Sequence, residues 1–290
     1  PSNEQLRDFA NLVSFKAGIE FEYGLLLSNE PDSWGYSGAK WSLSELHDVR
    51  AALGQMPKNT ILFTPLLREI ERTRTIKGRS TYLGARWSSG IIRIADGAIN
   101  NGLLSFQYMG LSSLQLVLVH EMGHSIQLGS NFGHAHFDHN GDYTITTGDA
   151  MYEFIDYLAI ADWHAIEPQD WELVRKKKAP SKVKIDGTEY PLEQAVTYEG
   201  EQRVFTLYAG TLYSYRADAE FSSDSYSRTS PWEDWAEAFS EYILAPLVLL
   251  QHAPQKFWTL ECEFHKYEND PPVRSSAARK RTTKDALTKL

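Results

Sequence analysis

The chain has 290 residues, 42% hydrophobic and 23% charged, an ordinary globular composition with room for one large domain or two small ones. The net charge of −9 argues against nucleic acid as the main partner, and the single cysteine, Cys262, excludes an intrachain disulfide. No apolar run approaches the ~18 residues of a membrane-spanning helix. The chain starts at Pro1 with no signal-like segment, so it is expected to be a piece of a longer polypeptide or a processed form.

In chain order, Glu4 to Val13 has helical spacing, and Asn29 to Gly38 is a polar, aromatic-rich loop. Ser42-Leu-Ser-Glu45 fits a capping box, which starts a helix running to about Leu53. Pro57-Lys-Asn-Thr60 breaks the chain before a short apolar strand, Ile61–Phe63, and Leu66 to Arg74 resembles a helix with a charged outer face. Thr81 to Trp87 and Gly90 to Ala95 read as two strands joined at Ser88-Ser-Gly90. They are either ordinary core strands or a sheet edge able to take a substrate as an added strand.

The stretch Leu114 to Leu128 is apolar with helical spacing and contains His120-Glu121-Met122-Gly123-His124. Residues at i and i+4 lie on one helical face, so His120 and His124 can both bind one Zn²⁺. Glu121 is rotated about 100° from His120, beside the metal, where a general base belongs. This H-E-x-x-H spacing is the signature of a zinc peptidase. Ser112 or Ser113 can cap the helix.

Beyond it, Gly133 to Asp142 is rich in His and Asp. Ser130 occupies the position six residues after His124 where one zinc-peptidase class has its third histidine, which excludes that class. Asp138, Asn140, Asp142 and Asp149 imitate a calcium loop, but Tyr143 stands where its glycine belongs, so a polar loop is the main reading and a second metal site the lesser one. Asp149 to Trp163 reads as a helix with an aromatic face, and Arg175 to Pro180 as a solvated basic turn. Lys182 to Tyr190 is a hairpin around Asp186-Gly187, and Arg203 to Tyr215 alternates like a strand. Residues 129–224 are therefore expected to be an insertion or lid within a domain spanning 1–269. Residues 270–290 are expected to be a flexible basic tail.

The second informative stretch is Ser225 to Tyr242. Ser230 and Pro231 start a helix, and Glu233 can complete a capping box. Glu233, Glu237 and Glu241 fall on one face. Such a row is either solvated or, beside an H-E-x-x-H helix, the source of the third zinc ligand. Capping and ligation compete for the Glu233 carboxylate.

These two stretches resemble the gluzincin zinc peptidases, in particular the lethal-factor-like catalytic domains of bacterial toxins and effectors. Those have H-E-x-G-H on one helix, then a tyrosine, an arginine-threonine pair and E-x-x-A-E-A-F on a second. Here the counterparts are His120 to His124, Tyr226, Arg228-Thr229 and Glu233 to Phe239. The resemblance implies Glu233 as third zinc ligand, Glu237 holding a ligand histidine, Glu121 as base and Tyr226 as an active-site phenol. It covers about 40 residues, and the two helices lie further apart in this chain than in the family. The implied fold is α+β and zincin-like: N-terminal helices, a small twisted sheet, the active-site helix and a helical C-terminal half, with the cleft between the motif helices. The implied activity is hydrolysis of a protein or peptide substrate by a secreted or delivered toxin or effector. A cell-wall peptide hydrolase and a non-catalytic module with structural zinc are the alternatives.

Overall fold

The computed structural model describes residues 2–30, 38–56, 67–76, 84–87, 90–100, 110–129, 136–137, 143–144, 152–174 and 182–269. The fold is α+β, with several helices and small sheets. The chain divides into two compact units, Pro1–Ser130 with Phe264–Leu290, and Asn131–Glu263. The division begins close to the expected boundary at 129 but runs past 224 to include the second motif helix.

In the first unit, α1 (Asn3–Tyr23) is twice as long as its expected helical stretch and stops at Gly24, whose φ of 67° is a left-handed cap. Strand β1 (Leu26–Asn29) follows, then α2 (Leu43–Gln55), where both hydrogen bonds of the expected Ser42/Glu45 capping box form. The Leu66–Arg74 segment is not a helix. Glu69–Arg72 forms strand β2, in which Ile70 and Arg72 alternate inward. Arg72 is buried because Glu45 and Asp96 accept from it at 3.1 and 2.7 Å. An inward-facing arginine hides the period-two pattern that the hydrophobic residues alone would reveal.

Strands β3 (Gly84–Trp87) and β4 (Ile91–Ile94) pair as the expected antiparallel hairpin, and the sheet order is β1-β2-β4-β3, with β2 parallel to both its neighbours. Among the described residues β3 is thus an edge strand. A short helix α3 (Asp96–Asn100) precedes α4 (Ser113–Gly129), whose aliphatic residues Leu114, Leu118 and Val119 are buried.

The second unit opens with a two-residue strand pair, β5 (His136–Phe137) and β6 (Tyr143–Thr144), and α5 (Tyr152–Ala161). The C-terminal half is less helical than expected, because seven strands lie among the described residues between His164 and Arg216. They are β7 (His164–Ile166), β8 (Trp171–Val174), β9 (Lys182–Ile185), β10 (Thr188–Pro191), β11 (Ala195–Tyr198), β12 (Glu201–Tyr208) and β13 (Thr211–Arg216). They form one sheet of order β10-β9-β8 and another of order β11-β12-β13-β7. Val183, Ile185, Phe205 and Leu212 make a common core between them. Asp186 and Gly187, with φ of 46° and 82°, make the expected two-residue turn between β9 and β10.

Helices dominate only afterwards, as α6 (Pro231–Leu244), α7 (Pro246–His252) and α8 (Pro254–Asn269). The expected strand at Ile61–Phe63, the calcium-loop residues Asp138, Asn140, Asp142 and Asp149, the basic turn at 175–180 and the tail from 270 lie outside the described residues. No described helix is long and apolar enough to cross a membrane.

Candidate metal centre

Helix α4 starts at a true capping box. Ser112 Oγ accepts from the Gln115 backbone N–H, and Gln115 Oε1 accepts from the Ser112 N–H, both at 3.2 Å. The buried aliphatic face fixes the helix rotation, and this sets where the site residues point. His120 and His124 are half-buried one turn apart, with ring centroids 4.8 Å apart and planes at 85°. Glu121, 6% exposed, packs on the β3 side of the helix. A Cβ added at Gly84 would come 2.7 Å from Glu121 Oε1 and 2.6 Å from Val117 Cγ1. Glycine at position 84 therefore lets strand β3 approach Glu121, a requirement the sequence pattern did not expose.

Helix α6 is capped by Ser230, whose Oγ accepts from the Glu233 N–H at 3.2 Å, with Pro231 in the first turn. The competition for Glu233 resolves in two parts. Its backbone serves the cap, while its carboxylate accepts a hydrogen bond from the Tyr208 hydroxyl. The carboxylate row is not a solvated face either. Glu233 and Glu241 are buried, and Glu241 accepts from the Ser223 N–H at 2.8 Å and from its hydroxyl. Glu237 is half-buried one turn after Glu233.

Tyr226 lies in a 3-10 turn, Ser225–Arg228, capped by Asp224, which accepts from the Tyr226 N–H at 2.8 Å. Thr229 Oγ1 donates back to the Tyr226 carbonyl at 2.7 Å. The phenol bonds with Tyr208 and Glu233, and its pKa is pushed up, first by burial and then by the Glu233 charge. It therefore holds its proton and acts as a donor; a cation on Glu233 would offset the second cause.

One residue along, Asp234 is fully buried and binds α6 to its neighbours. It accepts from Trp163 Nε1 at 2.8 Å and from Lys256 Nζ at 2.5 Å, and Tyr157 donates to its carbonyl at 2.9 Å. The sequence analysis did not find this anchor, because Lys256 lies 22 residues from Asp234.

His120 and His124 lie on α4 in the first unit and Glu233 on α6 in the second, three side chains of metal-ligating type. Two imidazole nitrogens and a carboxylate oxygen suit a first-row divalent ion. The chain matches no family model, no curated protein and no solved structure.

Proposed function

We propose that this chain is a zinc-dependent endopeptidase of the gluzincin type, with a zincin-like fold, in which His120, His124 and Glu233 hold the metal. The placement of His120 and His124 one turn apart on helix α4 carries the reading. Its support is the presence of Glu121 on the histidine helix, where a structural site would have no use for a base. Bound zinc supplies Lewis-acid polarisation and lowers the pKa of a water to about 7. Glu121 accepts a proton from the attacking water and delivers it to the leaving amine. Tyr226 donates to the oxyanion that develops on the scissile carbonyl. Glu237 keeps the role the resemblance implies, steadying a ligand histidine. By the same resemblance the proposed setting is a secreted or delivered bacterial toxin or effector acting on a protein substrate.

Protein purified without added zinc is expected to contain close to one equivalent by metal analysis, and His120→Ala to lose it. A His120→Ala protein with full zinc would refute the ligand set. Cleavage of casein but not purified peptidoglycan is expected, and the converse would move the reading to cell-wall peptides.

Tyr226→Phe is expected to lower the maximal rate about 10²–10³-fold, the effect of losing one oxyanion donor, with zinc content and melting temperature unchanged. A hydrogen bond that strengthens as charge develops acts on turnover more than on substrate binding. A rate within about threefold of wild type would remove Tyr226 from the mechanism, since that is under 1 kcal/mol.

A further inference from the structure

We propose that Tyr208, at the tip of the β12–β13 hairpin, is a positioning residue for Glu233, so that the strand-rich segment expected to be an insertion supplies part of the metal centre. This rests on the ligand set proposed above. It goes beyond that set because neither motif contains Tyr208.

A carboxylate ligand on a flexible side chain can rotate and present either oxygen. Ligating carboxylates are themselves hydrogen-bonded for this reason, and those partners affect metal affinity. Glu233 has such a partner: the Tyr208 hydroxyl donates to its Oε1.

Tyr208 is held firmly enough to serve. It is the last residue of β12 and pairs with Thr211 across a two-residue turn. Ala209 and Gly210 occupy that turn with φ of 49° and 91°, the positive pair that matches strand twist in a tight hairpin. β12 pairs with β11 on one side and β13 on the other, and Phe205 is fully buried in the core between the sheets.

The same face of β12 makes a second bond to the start of α6. Thr206, two residues before Tyr208, donates from Oγ1 to the Thr229 carbonyl at 3.4 Å, one residue ahead of the Ser230 cap. Alternate residues of one strand thus reach both the approach to α6 and its metal-facing carboxylate. Tyr226 bonds with both Tyr208 and Glu233, so the two phenols flank one carboxylate. Tyr208 arrives from the sheet and holds the ligand. Tyr226 arrives from the turn, 43% exposed, and meets the substrate.

The test is zinc affinity by competition with a chromophoric chelator, together with melting of the metal-free protein. Tyr208→Phe is expected to weaken zinc by roughly 10–100-fold without moving the metal-free melting temperature. Thr206→Val, which alters the same strand face away from Glu233, is expected to bind zinc as wild type does. In a Glu233→Ala background, Tyr208→Phe should cause no further loss, because its effect passes through that carboxylate. Wild-type affinity in Tyr208→Phe, or an equal loss with and without Glu233, would overturn the inference while leaving the peptidase reading intact. A metal-free Tyr208→Phe protein melting several degrees lower would assign the hydroxyl to folding and also overturn it. A wild type that takes up no zinc would instead refute the proposed function itself.

Discussion

Glu121→Gln is expected to lower turnover about 10²–10⁴-fold while leaving zinc content and fold as in the wild type. The amide has the shape of the carboxylate, so its packing beside Gly84 is retained. What it loses is the ability to accept a proton from water. The rest of α4 stays in place, because the helix is fixed by its buried aliphatic residues and by the Ser112–Gln115 box. The position is also distinct from the proposed metal ligands. His120 and His124 share a face, whereas Glu121 turns toward β3. Steady-state kinetics on the substrate the wild type cleaves, with metal analysis of the same preparation, checks both halves. Turnover within about tenfold of wild type would show that Glu121 is not the base.

Lys256→Met is expected to destabilise the folded chain by about 3–5 kcal/mol, the cost of removing one partner of a buried ion pair. Lys256 and Asp234 are both 0% exposed. Burial pushes the Asp234 carboxyl up and the Lys256 ammonium down, and each group's attraction for the other opposes this. Without the lysine, Trp163 and Tyr157 remain as donors but the paired ammonium is gone. The ammonium also lies 4.2 Å from the centroid of the Phe221 ring, so the substitution removes a desolvated cation–π contact too. Total stabilities of about 5–15 kcal/mol make this a large fraction. Urea unfolding followed by tryptophan fluorescence reads it. Adding Asp234→Asn to Lys256→Met is expected to recover part of the loss, since the unpaired charge is then gone. A single-variant loss below about 1 kcal/mol would refute the pair's role. Asp234 adjoins Glu233 on α6, so the pair also holds the proposed ligand in place.

The candidate site was readable where its chemistry is local. His120, Glu121 and His124 lie within five residues, and helix geometry alone decides which of them share a face. The Ser42, Ser230 and Asp186-Gly187 signals succeed for the same reason, since caps and tight turns are decided by residues three or four apart. The Leu66–Arg74 reading failed because Arg72 is a charged residue facing inward. Its partners Glu45 and Asp96 lie more than twenty residues away on either side, and no window around Arg72 contains them.

By itself, the sequence determined two helices, one bearing a pair of imidazoles with a glutamate beside them and the other a row of carboxylates. Both follow from backbone periodicity and capping, which are short-range. Only the tertiary structure decided that Glu233 gives its backbone to the cap and its side chain to Tyr208. It also made Lys256 the buried counter-ion of Asp234. Each of these outcomes depends on packing between segments distant in the chain, and burial changes the energy of a charge or a hydrogen bond in a way that no local pattern records.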